Sequence, residues 1–349
     1  MEPNITSKLV QTILDFLDAY SSAHVTIVTV MCCLGLCGHV LVICLLTRRS
    51  TLNAFNFVLT SLSVCQFVLL QSFLFFTYNT LYAEVHCRAD LWSHGWVLSR
   101  LCSVELSVVI HTMALFHLAV LSVARFVTIA KCNRRLTSVW FTMRKAVCCC
   151  LSIYIGVPLL CIPVYLTSTV VHAQQPHEAR PQCNVSDGQK KVYEIRFSQL
   201  ARETWLYQFN FWFYAIACKL VPCVFFAIMT MLLARKIRQL EHSLLFISVA
   251  QKRKYKQTTV LILTVLLLFV VVELPQALLN IAAAVLKHKF FWYYQRANDF
   301  MEMLSVAYSS VNFAILCLMS ERFRKTLSRA FTKISCCDGT SDQPRSSKV

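Results

Sequence analysis

"VVVELPQALL", residues 270–279, lies inside a long apolar run and sets an acid, Glu273, two residues ahead of a proline, Pro275. An ionisable side chain at mid-membrane depth costs at least about 2.5 kcal/mol unless it meets a partner or a polar cavity. Two things therefore need settling: whether this run is a membrane span, and what else lies at the depth of Glu273. The composition answers the first. Of 349 residues, 57% are hydrophobic and only 15% charged, whereas soluble domains carry roughly a quarter charged residues. Several apolar stretches exceed the roughly 18 residues that cross a bilayer as a helix. They are continuously apolar and do not alternate, so a transmembrane barrel is not expected.

The apolar stretches read as seven spans, roughly 23–47, 54–79, 97–130, 143–170, 205–236, 256–286 and 293–319. The expected fold is an all-α membrane protein, a seven-transmembrane helix bundle with a short amphipathic eighth helix. The expected organisation is an extracellular N-terminus (1–22), a seven-transmembrane domain (23–319), amphipathic helix 8 (320–333) and a cytoplasmic tail (334–349). No small-residue cleavage site follows the first span, so it reads as a retained anchor. No internal repeat is visible, which counts against inverted-repeat transporters.

Orientation follows from the basic residues. Of 34 Lys and Arg, 21 fall in one set of loops and the tail, among them Arg48, Arg49, Arg144, Lys145, Arg235 and Lys256. The positive-inside rule then places the C-terminus in the cytoplasm and the N-terminus outside, in a multi-pass plasma-membrane protein. Topology and contact with anionic membrane lipids account for the net charge of +17, and no nucleic-acid partner is needed. Two glycosylation acceptors, at Asn4 and Asn184, fall on the expected outer side. Most of the 18 cysteines lie within spans, where they act as small apolar residues. Cys87, Cys102 and Cys183 are expected outside or at the outer rim, where disulfides form. The favoured bridge is Cys102–Cys183, with Cys87–Cys183 as the alternative. Cys336 and Cys337 follow an amphipathic stretch and are candidates for palmitoylation.

Depth can be read from sequence, because a helix rises about 1.5 Å per residue. Glu273 lies 17 residues beyond Lys256, or about 25 Å from the inner boundary. Lys219 precedes Arg235 by 16 residues and His111 precedes Arg125 by 14, which gives about 24 and 21 Å. Three ionisable residues on three helices thus share a depth, and facing one another they can satisfy one another. A structural polar knot that only fixes packing is the alternative reading. Pro275 removes a backbone hydrogen bond and favours a kink near the same level.

The matching motifs run along the whole chain: "GHVLVICLLTRRS" (38–50), "HTMALFHLAVLSVARFV" (111–127), "YIGVPLLCIPVYL" (154–166), "NFWFYAIACKLVPC" (210–223), "FVVVELPQALL" (269–279) and "SSVNFAILCLMSERFRKTL" (309–327). In this order and spacing the sequence resembles the rhodopsin-like G-protein-coupled receptors. Within them it is most similar to the FMRFamide, myosuppressin and sex-peptide receptor group, including nematode serpentine receptors of class W. The resemblance implies an extracellular neuropeptide ligand and a heterotrimeric G protein as partners. It implies ligand contacts at Glu273, Lys219, His111, Gln276, Glu302 and Asp299. It also implies a switch in which helix 6 pivots at Pro275, with Phe269 as its apolar element. Arg125 and Asn312 would belong to the coupling machinery, and Arg125, Lys254 and Lys256 would line the inner crevice.

The sequence also departs from the resemblance. His39 stands in place of the family's helix 1 Asn, Gln66 in place of the sodium-binding Asp, and Ala124 in place of the acid before Arg125. Phe313 and Leu316 replace the Pro and Tyr that follow Asn312, and Thr230 stands near the missing helix 5 Tyr. Ser107 occupies the position of the aminergic Asp, which disfavours an amine ligand. No phosphate loop, nucleophilic triad or metal-ligand spacing occurs, so neither an enzyme nor a cofactor is expected; His111 and His117, six apart, do not share a helical face. The rival readings are a degenerate receptor that binds without coupling, and a proton-coupled transporter using Glu273, Lys219 and His111 as a relay.

Overall fold

The computed structural model describes residues 5–49, 51–86, 89–133, 140–173, 192–242, 249–286 and 288–319. The long helices are α1 (Ile5–Leu46), α2 (Ala54–His86), α3 (His94–Asn133), α4 (Met143–Leu160), α5, α6 (Val249–Leu286) and α7 (His288–Met319). α5 has three consecutive parts: Leu206–Phe213, a π-helical segment Tyr214–Leu220, and Val221–His242. α1 packs on α2, α2 on α3, α3 on α4, α5 on α6 and α6 on α7; α7 returns onto α1, α4 also packs on α2, and α3 also touches α5 and α6. α3 thus contacts four of the other long helices. Leu62 and Leu69 of α2, Leu118 and Leu121 of α3, and Leu266 and Phe269 of α6 belong to one buried core.

Six of the helices hold apolar stretches long enough to cross a membrane among the described residues: Gln11–Leu46, Ala54–Asn79, His94–Lys131, Met143–Tyr165, Leu206–Gln239 and Lys256–Ala283. The seventh expected span, 293–319, falls within α7, which is 32 residues long. The expected amphipathic helix and tail lie outside the described residues, as do Cys87, Cys183, Asn4, Asn184, Cys336 and Cys337.

The structure corrects three expectations. First, α1 starts at Ile5 and not near residue 23. Residues 5–22 contain neither Gly nor Pro, and Leu14, Leu17 and Tyr20 recur at helical spacing on a buried face. Phe16 and Tyr20 there meet Phe300 of α7 edge-on, with ring centroids 5.6 and 5.4 Å apart. Second, the fourth span ends early. α4 stops at Leu160, and after a short turn the chain enters β1 (Ser168–His172), paired antiparallel with β2 (Tyr193–Phe197). β-branched Thr169, Val170 and Val171 suit an extended ladder, and among the described residues this ribbon is the only β structure. The ribbon packs on the N-terminal end of α3. Third, Cys102 is a free, exposed cysteine, whereas the favoured bridge needs it paired; its expected partner Cys183 lies outside the described residues. Cys102 lies near the start of α3, as expected, but its side chain turns away from the bundle.

α1 and α7 approach closely. A Cβ at Gly38 would strike the Phe313 ring, and one at Gly35 would sit 2.6 Å from Leu70 and Ser310. Ser310 Oγ donates to the Met31 carbonyl at 2.9 Å, and His39 Nε2 lies 2.9 Å from the Ser309 carbonyl. Overpacking a tight seam typically costs about 1–3 kcal/mol. Gly38→Leu is therefore expected to lower the melting temperature in detergent by several degrees. Gly156→Ala, in α4 with nothing within 4 Å, should be neutral or stabilising by roughly 0.5–1 kcal/mol. Equal melting of the two variants would contradict the close α1–α7 contact.

Candidate functional site

Glu273 is fully buried and Lys219 is 2% exposed. Lys219 Nζ donates to Glu273 Oε2 at 2.5 Å and to Gln276 Oε1 at 2.8 Å. Ser305 Oγ donates to Glu273 Oε1 at 3.3 Å and lies 3.5 Å from Gln276 Oε1. His111 Nε2 stands off at 3.6 Å from Glu273 Oε1, without a hydrogen-bond partner among the described residues. One carboxylate thus gathers groups from α3, α5, α6 and α7. A buried ion pair offsets its desolvation only when its remaining lone pairs and protons are also satisfied. Gln276 and Ser305 supply those contacts.

A local irregularity aims Lys219 at its partner. The π-helical segment Tyr214–Leu220 ends just before Val221 and Pro222. Pro222 has no N–H to donate, and its ring crowds the carbonyl four residues back. A wider turn relieves that crowding, and such π turns often mark functional sites. Lys219 Nζ also lies 5.6 Å from the Tyr214 ring centroid, in cation–π range.

One turn from Glu273 toward the Arg125 end is an aromatic layer. The ring of Phe269 meets Phe226 of α5 at 5.0 Å and Tyr308 of α7 at 5.6 Å, both edge-to-face. Phe269 and Phe226 are 0% and 1% exposed. The polar cluster and the aromatic layer therefore join the same three helices at successive levels, and Pro275 lies within this part of α6.

The serpentine type 7TM GPCR chemoreceptor Srw family matches residues 25–333. The chain belongs to that family. It is 23% identical to the G-protein coupled receptor dmsr-1 of Caenorhabditis elegans, covering 91% of this chain and 70% of that protein. It is 22% identical to the FMRFamide receptor of Drosophila melanogaster, covering 86% of this chain and 52% of that protein. The chain thus spans only about half the length of the second relative. As a member of a receptor family it is not an enzyme, and the described residues hold no group of three or more His, Cys, Asp or Glu placed for a metal ion.

In this Srw-family chain the other expected site residues divide. Asp299 accepts from Ser21 of α1 at 3.4 Å, and Glu302 lies near Tyr20, Cys32 and Asp299. Both acids therefore belong to the α1–α7 seam; neither makes a described contact with the Glu273 cluster. Arg125 is buried, with its guanidinium 3.7 Å from the Phe55 ring centroid, and Phe55 packs on Phe141 at 5.1 Å. The residue before it is Ala124, where the family resemblance leads one to expect an acid. Asn312 and Gln66 are buried, and Gln66 Oε1 has no partner among the described residues. Lys256 is exposed, and the side chain of Lys254 lies outside those described.

Two features are not legible in the sequence. Ser305 carries no signal there, because a serine in an apolar helix usually bonds to its own backbone. A second polar cluster joins α2, α3 and α4. His117 Nδ1 donates to the Met113 carbonyl at 2.7 Å, which leaves Nε2 to accept from Ser61 Oγ at 2.7 Å. Ser61 in turn accepts from Tyr154 OH at 2.9 Å. From sequence His117 invites only a metal-ligand reading; its proximity to Tyr154 and Ser61 is not visible along the chain.

Proposed function

We propose that this chain is a plasma-membrane receptor for an FMRFamide-like neuropeptide that passes binding to a heterotrimeric G protein. One observation carries the reading: the Lys219–Glu273 pair, with Gln276 and Ser305, ties α5, α6 and α7 directly above the Phe226–Phe269–Tyr308 layer. A ligand entering from the β1–β2 end perturbs the polar tie. The aromatic layer then repacks, α6 moves about Pro275, and the Arg125 end opens. This is a population shift between two packings, driven by the ligand's differential affinity for them. The likeness to a G-protein coupled receptor of Caenorhabditis elegans and to the FMRFamide receptor of Drosophila melanogaster supports the partner and the ligand class.

The degenerate-receptor reading is favoured by a separate observation, the stacking of Arg125 on Phe55 beside Ala124. The test is a peptide panel, including FMRFamide, applied to cells that express the chain with a promiscuous G protein. A saturable response, lost in cells without the chain, is expected. Binding without any G-protein response would favour the degenerate receptor. Substrate uptake driven by a proton gradient would favour a transporter.

A further inference from the structure

Three cations cluster where α3 ends and α4 begins. Lys131 lies in the last turn of α3, and Arg144 and Lys145 lie in the first turn of α4. Lys145 Nζ donates to the Trp140 carbonyl at 2.9 Å and sits 5.1 Å from the Trp140 ring centroid. Lys131 Nζ lies 5.9 Å from the same centroid. Two ammonium groups from different helices therefore share one indole. Among the described residues, none of the three cations makes an ion pair. The surrounding sequence supplies no partner either: from Leu106 to His177 it contains neither Asp nor Glu. Contact with an aromatic face attracts a lysine but leaves its charge in place. The cluster lacks an anion, and the local chain has none to give.

Membrane topology asks only that basic residues lie on the cytoplasmic side. It does not gather two of them at one ring. We propose that Lys131, Trp140, Arg144 and Lys145 form a site for the headgroup of a polyphosphorylated inositol lipid in the inner leaflet. Basic pockets between helices on the cytoplasmic side suit such headgroups. A headgroup with one net negative charge leaves most of the cluster unbalanced, whereas two ring phosphates can engage all three cations. Trp140 is half-buried, and its apolar ring and polar N–H suit the level where acyl chains meet headgroups. Lys145 is already held by the Trp140 carbonyl, so less side-chain freedom is lost on binding. The site also has a physical connection to Arg125. Trp140 stacks on Phe141 with centroids 6.2 Å apart, Phe141 packs on Phe55 at 5.1 Å, and the Arg125 guanidinium lies 3.7 Å from the Phe55 centroid. A lipid that orders Trp140 therefore steadies the packing at the Arg125 end. The proposal goes beyond the receptor reading. It needs only the cytoplasmic orientation of this end and holds whatever the ligand is.

The probes are dioctanoyl phosphatidylinositol bisphosphate, dioctanoyl phosphatidylserine and free inositol trisphosphate. Each is titrated onto the purified full chain in a neutral detergent, with thermal unfolding and native mass spectrometry as readouts. A lipid that binds only the folded chain raises its melting temperature with concentration. The bisphosphate lipid should raise it by several degrees, and the other two probes by much less. Lys131→Gln with Lys145→Gln should weaken bisphosphate binding on the order of tenfold or more. Arg144 is exposed, so Arg144→Gln should weaken binding without lowering the melting temperature of the lipid-free chain. It serves as the test if the double variant folds poorly. Arg235→Gln with Arg238→Gln removes two exposed charges from the inner part of α5 and should leave binding intact. Equal shifts with the bisphosphate lipid and phosphatidylserine, equal losses in the α3–α4 and α5 variants, or no shift with any probe would overturn the site. A full shift with inositol trisphosphate would overturn a lipid as its occupant.

Discussion

Glu273→Gln and Lys219→Met should each cost on the order of 3–5 kcal/mol, because each strands the other charge in a site with almost no water. Removing both charges at once should cost much less. The double variant leaves a neutral amide at position 273 that can share hydrogen bonds with Gln276 and Ser305, and Met fills the Lys219 volume. The measurement is a double-mutant cycle on thermal inactivation in detergent, with surface expression alongside. The structure gives a particular reason for strong coupling: Lys219 Nζ touches Glu273 Oε2 at 2.5 Å, and both side chains are almost completely buried. An additive cycle, with coupling below about 0.5 kcal/mol, would mean that the two residues do not meet. His111 enters as a control. At 3.6 Å from Glu273 Oε1 it makes no hydrogen bond to the carboxylate, so His111→Asn should couple to Glu273→Gln far more weakly than Lys219→Met does.

Phe269→Ala should be the most damaging truncation in the aromatic layer. Phe269 is fully buried between Phe226 and Tyr308, and emptying such a site typically costs about 3–5 kcal/mol through lost transfer energy and a residual cavity. Surface expression should fall sharply. Phe269→Leu keeps most of the volume and should cost about 1.5 kcal/mol or less. That variant isolates the switching role. If the layer holds α5, α6 and α7 in one of two packings, Phe269→Leu should change basal G-protein activation while leaving expression near normal. Unchanged basal and evoked signalling in a well-expressed Phe269→Leu chain would make Phe269 an ordinary core residue.

The helices were legible because membrane physics writes them into composition. An apolar stretch long enough to cross a bilayer leaves the backbone no alternative to a helix. Five of the six described spans accordingly lie close to the stretches read from sequence, and the sixth, α1, shares its C-terminal end but starts earlier. The early end of α4 was less visible, because Val164, Val170 and Val171 are as apolar as a span although they lead into and form a ladder. The start of α1 was hidden for a different reason. Phe16 and Tyr20 in its early turns pack on Phe300, a residue far away in sequence.

The candidate site divides along the same line. Helical rise is uniform, so the common depth of His111, Lys219 and Glu273 could be counted along the chain, and Gln276 follows Glu273 by less than a turn. Rotation about the helix axis is another matter. Each extra or missing residue in a turn swings a side chain by roughly 100°. The π-helical segment before Pro222 introduces such a change at the level of Lys219. The direction a side chain faces is then settled by which neighbouring helix has room and a matching group. For that reason Asp299 and Glu302 went to the α1 seam, Cys102 turned outward as a free thiol, and Ser305 joined the carboxylate. Residue types and depths along each helix were enough to require a partner for Glu273; packing of the helices around α3 chose Lys219, because azimuth depends on contacts between segments far apart in the chain.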